Sequence, residues 1–306
     1  MSAGHLLIIN PRSANGSTGR KWPKMEAYLR TLLPAFDAVL TKAPGHATRI
    51  AAGARGQYEV VVAVGGDGTT NEVVNGLVDG DERSGPGIAL GVLPGGTGSD
   101  FLRGLGIPRS LDGAAAVLAR GKQRLIDVGR ARFLGPDGAQ ATRYFINAAE
   151  VGMGAVVCRA LDRSPRRFGG AFAFLWAIMV TMIKYRDCPV SLSVDGAAAE
   201  TVVLNNAWIA NGAYSGAGIR SAPRARMDDG LLDVVRLEHA GLLRRIRGLW
   251  KVRSGAFVDL PHVDYRVAHR LEATAETAVP VETDGDPVGS VPASFDLLPA
   301  RLSVIS

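Results

Sequence analysis

Apolar runs and amphipathic stretches alternate along the first part of the chain. Residues 60–64 are rich in β-branched side chains and predict a buried strand. Residues 71–77 carry the apolar spacing of an amphipathic helix. Similar strand-then-helix patterns occur around residues 5–33, 36–55 and 87–105. The pattern predicts an α/β domain over residues 1–128, with an open, mostly parallel sheet and helices on both faces.

The pattern changes after residue 128. Short apolar runs are separated by turn sequences such as Asp195-Gly196 and Asp228-Asp229-Gly230. Such spacing is typical of antiparallel strands, so residues 129–292 are expected to form an all-β sandwich. The last segment, residues 293–306, is expected to be a strand that returns to the first domain.

Two helices are predicted within the second domain. Residues 168–184 are strongly apolar but fall short of the roughly 20 residues of a membrane span, so a helix packed on the β domain or lying at a membrane interface is favoured. Residues 241–254 separate an apolar from a cationic face, which suits an anionic membrane, although a core-facing helix with a solvated charged face is the alternative. The expected apolar positions are Leu242, Leu243, Ile246, Leu249 and Trp250, and the cationic ones are Arg244, Arg245, Arg247, Lys251 and Arg253.

The most informative turn is Gly65-Gly66-Asp67-Gly68, between the predicted strand and helix. Free backbone N–H groups and the positive end of the helix dipole meet at such a point, which favours binding of a phosphate. Asp67 beside a phosphate is explained by a metal ion between them, or by orientation of a hydroxyl or water. An ordinary tight turn is the alternative.

A second glycine turn, residues 94–101 (PGGTGSDF), follows the next predicted strand. A polar loop, residues 10–19, follows the first strand in the same way. Because ligands of α/β sheets bind at the carboxyl ends of the strands, the two glycine turns are expected to face each other across one cleft.

Composition narrows the choice of partner and compartment. The chain has 306 residues, a net charge of +6 and a sequence pI near 9.6, which fit a polyanionic partner. The two cysteines, Cys158 and Cys188, lack metal-ligand spacing and indicate a reducing, cytosolic compartment. The N-terminal residues do not have the pattern of a signal peptide.

Several motifs together resemble those of the diacylglycerol kinase-like lipid kinase family, which includes sphingosine and ceramide kinases. In chain order, they are the Asn10-Pro11 loop, the two glycine turns, residues 228–233 (DDGLLD) and Asp284-Gly285-Asp286. The resemblance implies a nucleotide-binding α/β domain and a C-terminal β-sandwich, with ATP in the cleft between them. The residues implied to contact the nucleotide are Asn10, Thr41, Gly65, Gly66, Asp67, Gly68, Thr69, Thr70, Asn71 and Thr97.

The resemblance also implies metal sites and a general base. Asp67 and Asp127 would belong to the acidic network around a catalytic Mg²⁺ ion. The Asp229 carboxylate and the backbone carbonyls of Arg226 and Leu231 would form a second, structural metal site. Asp286 would be the general base, at a position where the family usually has a glutamate, which is one methylene longer.

These features predict an ATP-dependent lipid kinase. Diacylglycerol is the expected acceptor and phosphatidic acid the product, with a ceramide or sphingoid-base kinase, a soluble NAD kinase-like enzyme or a non-catalytic sensor as alternatives. A cytoplasmic protein bound peripherally to the anionic inner face of the membrane is expected, with no nucleic-acid partner. A homodimer through sheet edges is left open.

Overall fold

The computed structural model describes residues 3–78, 87–95, 99–162 and 170–306. These residues form two compact units. Unit 1 consists of Met1–Val128 with Leu298–Ser306, and unit 2 consists of Gly129–Leu297.

Strands and helices alternate in unit 1. Its elements are β1 (Ala3–Ile9), α1 (Ser17–Leu32), β2 (Phe36–Leu40), α2 (His46–Gly53), β3 (Tyr58–Gly65), α3 (Asp67–Leu77), β4 (Ala89–Pro94), α4 (Asp100–Leu105) and α5 (Leu111–Arg120). The sheet has the order β4-β3-β1-β2, and all neighbouring strands are parallel. Val304, near the C-terminus, pairs in parallel with Leu90 of β4.

The centre of the unit 1 sheet is apolar because its strands are covered by helices. Leu7 and Ile8 of β1 and residues 61–64 of β3 are fully buried. Helix α2 packs on α3, and α1 contacts α5. Parallel strands bring all their carboxyl ends to the same edge of the sheet, so the loops after β1, β2, β3 and β4 emerge there.

Unit 2 is built mainly from antiparallel strands. Its elements are β5 (Gln123–Leu134, which begins in unit 1), β6 (Gln140–Phe145), β7 (Ala148–Gly152), α6 (Met153–Asp162), α7 (Gly170–Lys184), β8 (Cys188–Val194), β9 (Glu200–Ala210), β10 (Leu232–Glu238), α8 (Leu242–Val252), a 3-10 helix (Ala256–Asp259), β11 (Val263–Ala268), β12 (Arg270–Thr274), β13 (Pro280–Thr283) and β14 (Asp286–Ile305, which ends in unit 1).

Six of these strands close on themselves. The ring β7-β9-β8-β12-β14-β13 is antiparallel throughout, and β10 and β11 extend it from β9. Its interior holds Phe145, Leu271, Val281 and Phe295, all fully buried. The predicted fold class, an α/β domain followed by an all-β domain, is therefore confirmed, and the expected two-layered sandwich has closed into a barrel.

Helix α7 packs in a small apolar cluster of unit 2. Ala177, Ile178 and Met182 contact Val157 of α6 in this cluster. Residues 168 and 169 of the predicted helix lie outside the described residues. Across residues 3–78, 87–95, 99–162 and 170–306, no helix is long and apolar enough to cross a membrane.

Helix α8 departs from the sequence prediction at one cationic position. Leu243 and Trp250, assigned to the apolar face, are 76% and 85% exposed, so they do not pack on the core as the alternative interpretation required. Arg245, assigned to the solvated cationic face, is 12% exposed and forms an ion pair with the buried Asp187. Its Nε also donates to the carbonyl of Ala240 at 2.7 Å. The assignment of Arg245 was wrong because its partner, Asp187, lies far away in the sequence.

The contact between α2 and α3 gives a stability prediction. A Cβ at Gly76 of α3 would overlap the carbonyl of Thr48, and it would lie 2.7 Å from the Cβ of Ala51 in α2. We expect Gly76→Ala to lower the unfolding free energy by about 1–3 kcal/mol, since overpacking forces the helices apart. Denaturant unfolding followed by circular dichroism measures this change.

Gly53 provides the matched control. It also lies in a helix, and a Cβ there would meet nothing within 4 Å. Gly53→Ala should leave stability unchanged or raise it by up to about 1 kcal/mol, because alanine restricts the unfolded chain. Equal destabilisation by both variants would contradict the packing argument.

Candidate active site

Three loops of unit 1 meet where parallel strands end. They follow β1 at Asn10, β3 at Gly66 and β4 at Gly95. Thr41, directly after β2, joins the same edge, because its N–H donates to the carbonyl of Ile9 at 2.8 Å. The sequence-predicted residues Asn10, Thr41 and the Gly65–Gly68 turn are therefore brought together by the sheet.

Hydrogen bonds connect the loops directly. The N–H of Gly95 donates to the carbonyl of Gly65 at 2.8 Å. The Thr18 hydroxyl donates to the carbonyl of Gly95 at 2.9 Å, and the Ser13 hydroxyl contacts that of Thr18 at 2.7 Å. The two glycine turns, expected to face each other, are thus in contact through their backbones.

Gly95 has no room for a side chain. A Cβ there would lie 2.9 Å from the Thr18 hydroxyl and 3.0 Å from the Cα of Gly65. Only glycine lets the backbones approach this closely.

Helix α3 begins inside this group of loops. Gly66 is its N-cap residue, and none of the described side chains caps it. The first turn of a helix carries unpaired N–H groups and the positive end of the helix dipole. Gly68 is exposed in that turn, so the backbone is accessible to an anion.

The next residues of α3 support the loop from within. The Asn10 side-chain amide donates to the Thr69 hydroxyl at 3.0 Å, and the Thr70 hydroxyl donates to the carbonyl of Gly66 at 3.3 Å. Asn71 is buried, and its side-chain oxygen accepts from Asn75 at 3.1 Å. Thr69 and Thr70 thus contact the loop residues, while the side-chain bond of Asn71 is to Asn75 within the helix. Contact of all three residues with a nucleotide stays a prediction.

Asp67 lies half-buried in the first turn of α3. Its Oδ1 accepts the N–H of Phe101, in the first turn of α4, at 3.2 Å. The carboxylate therefore links the two glycine turns at the N-terminal end of the helix. Thr97, predicted to contact the nucleotide, lies outside the described residues.

Asp127 and the Arg226–Leu231 turn were predicted as metal ligands. Asp127 is buried in β5, and its Oδ1 accepts the N–H of Ala300 at 2.7 Å. The Asp229 carboxylate accepts the N–H of Leu231 at 3.1 Å. Within the described part of the chain, no three His, Cys, Asp or Glu side chains are grouped as metal ligands. The metal assignments remain predictions.

The predicted base, Asp286, lies in unit 2 after a tight hairpin. The hairpin joins β13 to β14 through Asp284 and Gly285, which both have positive φ angles, as two-residue hairpin turns require. The Asp286 side chain is 54% exposed, and its Oδ2 lies 3.2 Å from a guanidinium nitrogen of Arg143.

The hairpin is held by Asp284. Its two carboxylate oxygens accept the backbone N–H groups of Ile146, Asn147 and Ala148 at 2.8, 2.8 and 3.2 Å. Its own N–H donates to the carbonyl of Ala148 at 2.9 Å. The turn that carries Asp286 is therefore fixed to the segment between β6 and β7.

Two buried glutamates next to this hairpin were missed by the sequence analysis. Glu150 and Glu282 lie opposite each other on β7 and β13. Burial raises the pKa of Glu150 to about 7, although hydrogen bonds from Asn206 and Trp208 favour its charged form. Burial and the charge of Glu150 raise the pKa of Glu282 well above its usual value. The sequence signal was an acidic residue inside each of two short segments, residues 148–152 (AAEVG) and 280–283 (PVET).

Family comparisons agree with this architecture. Residues 5–131 match the diacylglycerol kinase catalytic domain, and residues 147–306 match the YegS C-terminal NAD kinase beta sandwich-like domain.

Individual proteins show the same relationship. The chain is 29% identical to a diacylglycerol kinase of Bacillus subtilis, over 98% of this chain and 95% of the relative. It is 34% identical to a Chromohalobacter salexigens protein named probable lipid kinase YegS-like, over 74% of this chain and 69% of the relative. A Bacillus anthracis crystal structure has the same fold, with a TM-score of 0.78 at 24% identity, covering 99% of this chain and 95% of that one.

The two family domains thus follow each other in the expected order. The catalytic-domain match includes the strand-turn-helix site of unit 1, and the C-terminal match includes the closed barrel of unit 2. The chain belongs to the diacylglycerol kinase and YegS-like family of lipid kinases, a family of phosphotransferases.

Proposed function

We propose that this lipid kinase transfers the γ-phosphoryl group of ATP to the free hydroxyl of diacylglycerol, forming phosphatidic acid. The observation that carries the proposal is the N-terminus of α3, which no side chain in the described part of the chain caps. Asp67 lies in its first turn, where backbone N–H groups meet a carboxylate. The Bacillus subtilis relative named diacylglycerol kinase matches over nearly the whole chain and supports this acceptor.

In this proposal, unit 1 holds the nucleotide. The Gly65–Gly68 turn and the first N–H groups of α3 bind phosphate oxygens, while Asn10, Thr41, Thr69, Thr70, Asn71 and Thr97 complete the nucleotide site. The α3 dipole favours the negative charge of the phosphates.

The residues present suit a Mg²⁺ ion shared with those phosphates. Mg²⁺ typically takes one or two protein carboxylates and completes its coordination with phosphate oxygens and water, so a group of three protein ligands is not required. Asp67 is the main candidate ligand, and Asp127 is the second. The ion would neutralise negative charge on the transferred group.

Asp286 is proposed as the general base. Its carboxylate takes the proton of the acceptor hydroxyl as that oxygen forms a bond to the γ-phosphorus. The bond between the γ-phosphorus and the bridging oxygen breaks, and ADP leaves with the electron pair. The exposure of Asp286 suits contact with an acceptor that comes from outside the chain.

We also propose a structural metal site in the Arg226–Leu231 turn. Its ligands would be the Asp229 carboxylate and the carbonyls of Arg226 and Leu231. In the structure, one oxygen of this carboxylate accepts the N–H of Leu231 at 3.1 Å.

The acceptor is tested by phosphoryl transfer from radiolabelled ATP to a panel of diacylglycerol, ceramide, sphingosine and NAD. We expect the highest kcat/KM with diacylglycerol, because of the family relationship. Preference for ceramide or sphingosine would move the assignment to a sphingoid lipid on the same scaffold. Transfer to NAD alone would overturn the lipid-kinase proposal.

Removal of the base gives a second prediction. Asp286→Asn keeps the size of the side chain but cannot accept the proton, so we expect kcat to fall by about 100- to 10,000-fold. Nucleotide affinity, measured by calorimetry, should stay unchanged because Asp286 lies in unit 2 and is not assigned to nucleotide binding.

Two further variants sharpen this test. Asp286→Glu restores the acid that is usual in the family and should retain measurable transfer. Glu272→Gln removes an exposed carboxylate of unit 2 that pairs with Arg270, and should leave kcat unchanged. Unchanged turnover in Asp286→Asn would exclude this residue as the base.

Helix α8 is proposed to bind the anionic inner surface of the membrane. We call its exposed residues Leu243, Arg244, Arg247, Trp250 and Lys251 the α8 cationic surface. Leu243, Arg247 and Trp250 recur at helical spacing and share one side of the helix. Exposed apolar side chains among cations are the composition that binds an anionic bilayer interface.

The α8 cationic surface gives a prediction for membrane binding. Substituting Arg244, Arg247 and Lys251 together with Gln should weaken binding to phosphatidylglycerol vesicles by about 1 kcal/mol for each charge removed. Vesicle co-sedimentation at low and high salt measures this, and binding of the unsubstituted protein should weaken with salt. Arg245 is left unchanged because its ion pair with Asp187 belongs to the fold.

A matched triple variant controls for net charge. It replaces three exposed cations of unit 1, namely Arg109, Arg120 and Lys122, with Gln. This control should bind the vesicles like the unsubstituted protein. Equal binding by the α8 variant and the control would remove the membrane role of α8.

A further inference from the structure

Glu150 and Glu282 form a buried pair of carboxyl groups in unit 2. They are directly opposite in the antiparallel register of β7 and β13, and they are 9% and 2% exposed. Burial raises the pKa of both carboxyl groups. Two ionised carboxylates side by side in a buried site repel each other, so one of the two groups is expected to hold a proton.

Polar partners fix the position of Glu150. The Asn206 side-chain amide donates to Glu150 Oε2 at 2.9 Å, and the Asn206 side-chain oxygen accepts the N–H of Gly154 at 2.9 Å. The Trp208 side chain also forms a hydrogen bond with Glu150. A Cβ at Gly154 would overlap the Glu150 carboxyl group, so the glycine leaves the space that this group fills.

The pair is connected to the hairpin that carries Asp286. Glu282 Oε2 accepts the N–H of Gly285 at 2.5 Å. Gly285 immediately precedes Asp286, and Asp284 anchors the same turn to the backbone before β7. The carboxyl side chains of Asp284 and Glu282 therefore both hold the hairpin. Of these two, Glu282 is the one that lies opposite a second buried carboxyl group, that of Glu150.

The surrounding charges favour retention of the proton. The turn contributes Asp284 and Asp286, both of which raise the pKa of Glu282. The other charged or titratable groups lie on the elements packed against β7 and β13, namely β6, α6, β9 and β14. They are Arg143, Tyr144, Cys158, Arg159, Asp162, Glu200, Asp296 and Arg301. Arg143 pairs with Asp286, and Arg159 is exposed to solvent.

We propose that Glu150 and Glu282 are positioning residues that share one proton and thereby hold the Asp284-Gly285 turn so that Asp286 keeps its active position. The inference depends on the proposed role of Asp286 as general base. Loss of the shared proton places two negative charges together in a buried site, where they repel each other. Glu282 then moves, the bond to Gly285 is lost, and Asp286 is displaced.

The pH dependence of kcat tests this inference. With diacylglycerol in mixed micelles, the unsubstituted enzyme should lose activity on the alkaline side as the pair ionises. Glu282→Gln keeps an oxygen for Gly285 and an N–H₂ group for Glu150 but has no proton to lose. Its alkaline loss of activity should disappear or shift upward by at least about one pH unit.

Removing the side chain tests positioning separately from binding. Glu282→Ala should lower kcat by about 10- to 100-fold, since a small displacement of the base is enough for such a loss. The KM for ATP should not change. Glu272→Gln, the exposed control on β12, should keep the full pH profile of the unsubstituted enzyme.

Unfolding measurements test the pair without any activity. Because the pKa of each glutamate is raised on folding, the pair contributes stability that is complete below the usual glutamate pKa and is lost as the pH rises through about 7 and above. Denaturant unfolding between about pH 5 and pH 9 should show this decline in the unsubstituted protein and a smaller decline in Glu282→Gln.

The outcomes separate the two proposals. Transfer that survives in Asp286→Asn overturns the proposed base, while the unfolding data still decide whether a shared proton exists. If Asp286→Asn abolishes transfer but Glu282→Gln retains the pH profile and the unfolding behaviour of the unsubstituted enzyme, the positioning pair is overturned. Glu150→Gln, which carries the same expectations, replaces Glu282→Gln if the latter does not fold.

Discussion

The contact between Gly65 and Gly95 is the constraint on which the candidate nucleotide site depends. In the register of β3 and β4, Gly65 pairs with Pro94. Gly95, the residue after Pro94, therefore lies beside the Gly65–Gly68 turn. The hydrogen bond from Gly95 to Gly65 leaves no room for a side chain at Gly95. The two turns are joined through their backbones, and among the residues that the structure describes no side chain caps the first N–H groups of α3.

The carboxylates of the two units have different structural roles. In unit 1, Asp67 links the two glycine turns and stands at the positive end of a helix, where negative charge is favourable. In unit 2, Asp284 satisfies three backbone N–H groups, and Glu282 satisfies a fourth from Gly285. The position of an acidic residue near a proposed site is therefore not sufficient evidence that it takes part in the reaction. Some of these carboxylates instead accept hydrogen bonds from backbone N–H groups and fix the chain.

The sequence predicted those features that are encoded locally. The valine run before Gly65 and the apolar spacing after Asn71 identify β3 and α3 because strand and helix periodicities extend over only a few residues. The Glu150–Glu282 pair and the ion pair of Arg245 with Asp187 could not be predicted in this way. Each joins residues from distant segments, and the register of the barrel decides which of them meet.

The choice of aspartate at position 286 has a physical consequence in this setting. Aspartate is one methylene shorter than glutamate, so its carboxylate stays closer to the hairpin backbone. The hairpin cannot shift outward to compensate, because Asp284 fixes it at three N–H groups and Glu282 at one. A proposed base on a fixed turn requires the acceptor hydroxyl to approach the turn closely, within hydrogen-bonding distance. If Asp286 is the base, its short side chain on a fixed turn cannot move toward the acceptor. The glycerol or sphingoid headgroup of the lipid then has to move to the carboxylate instead.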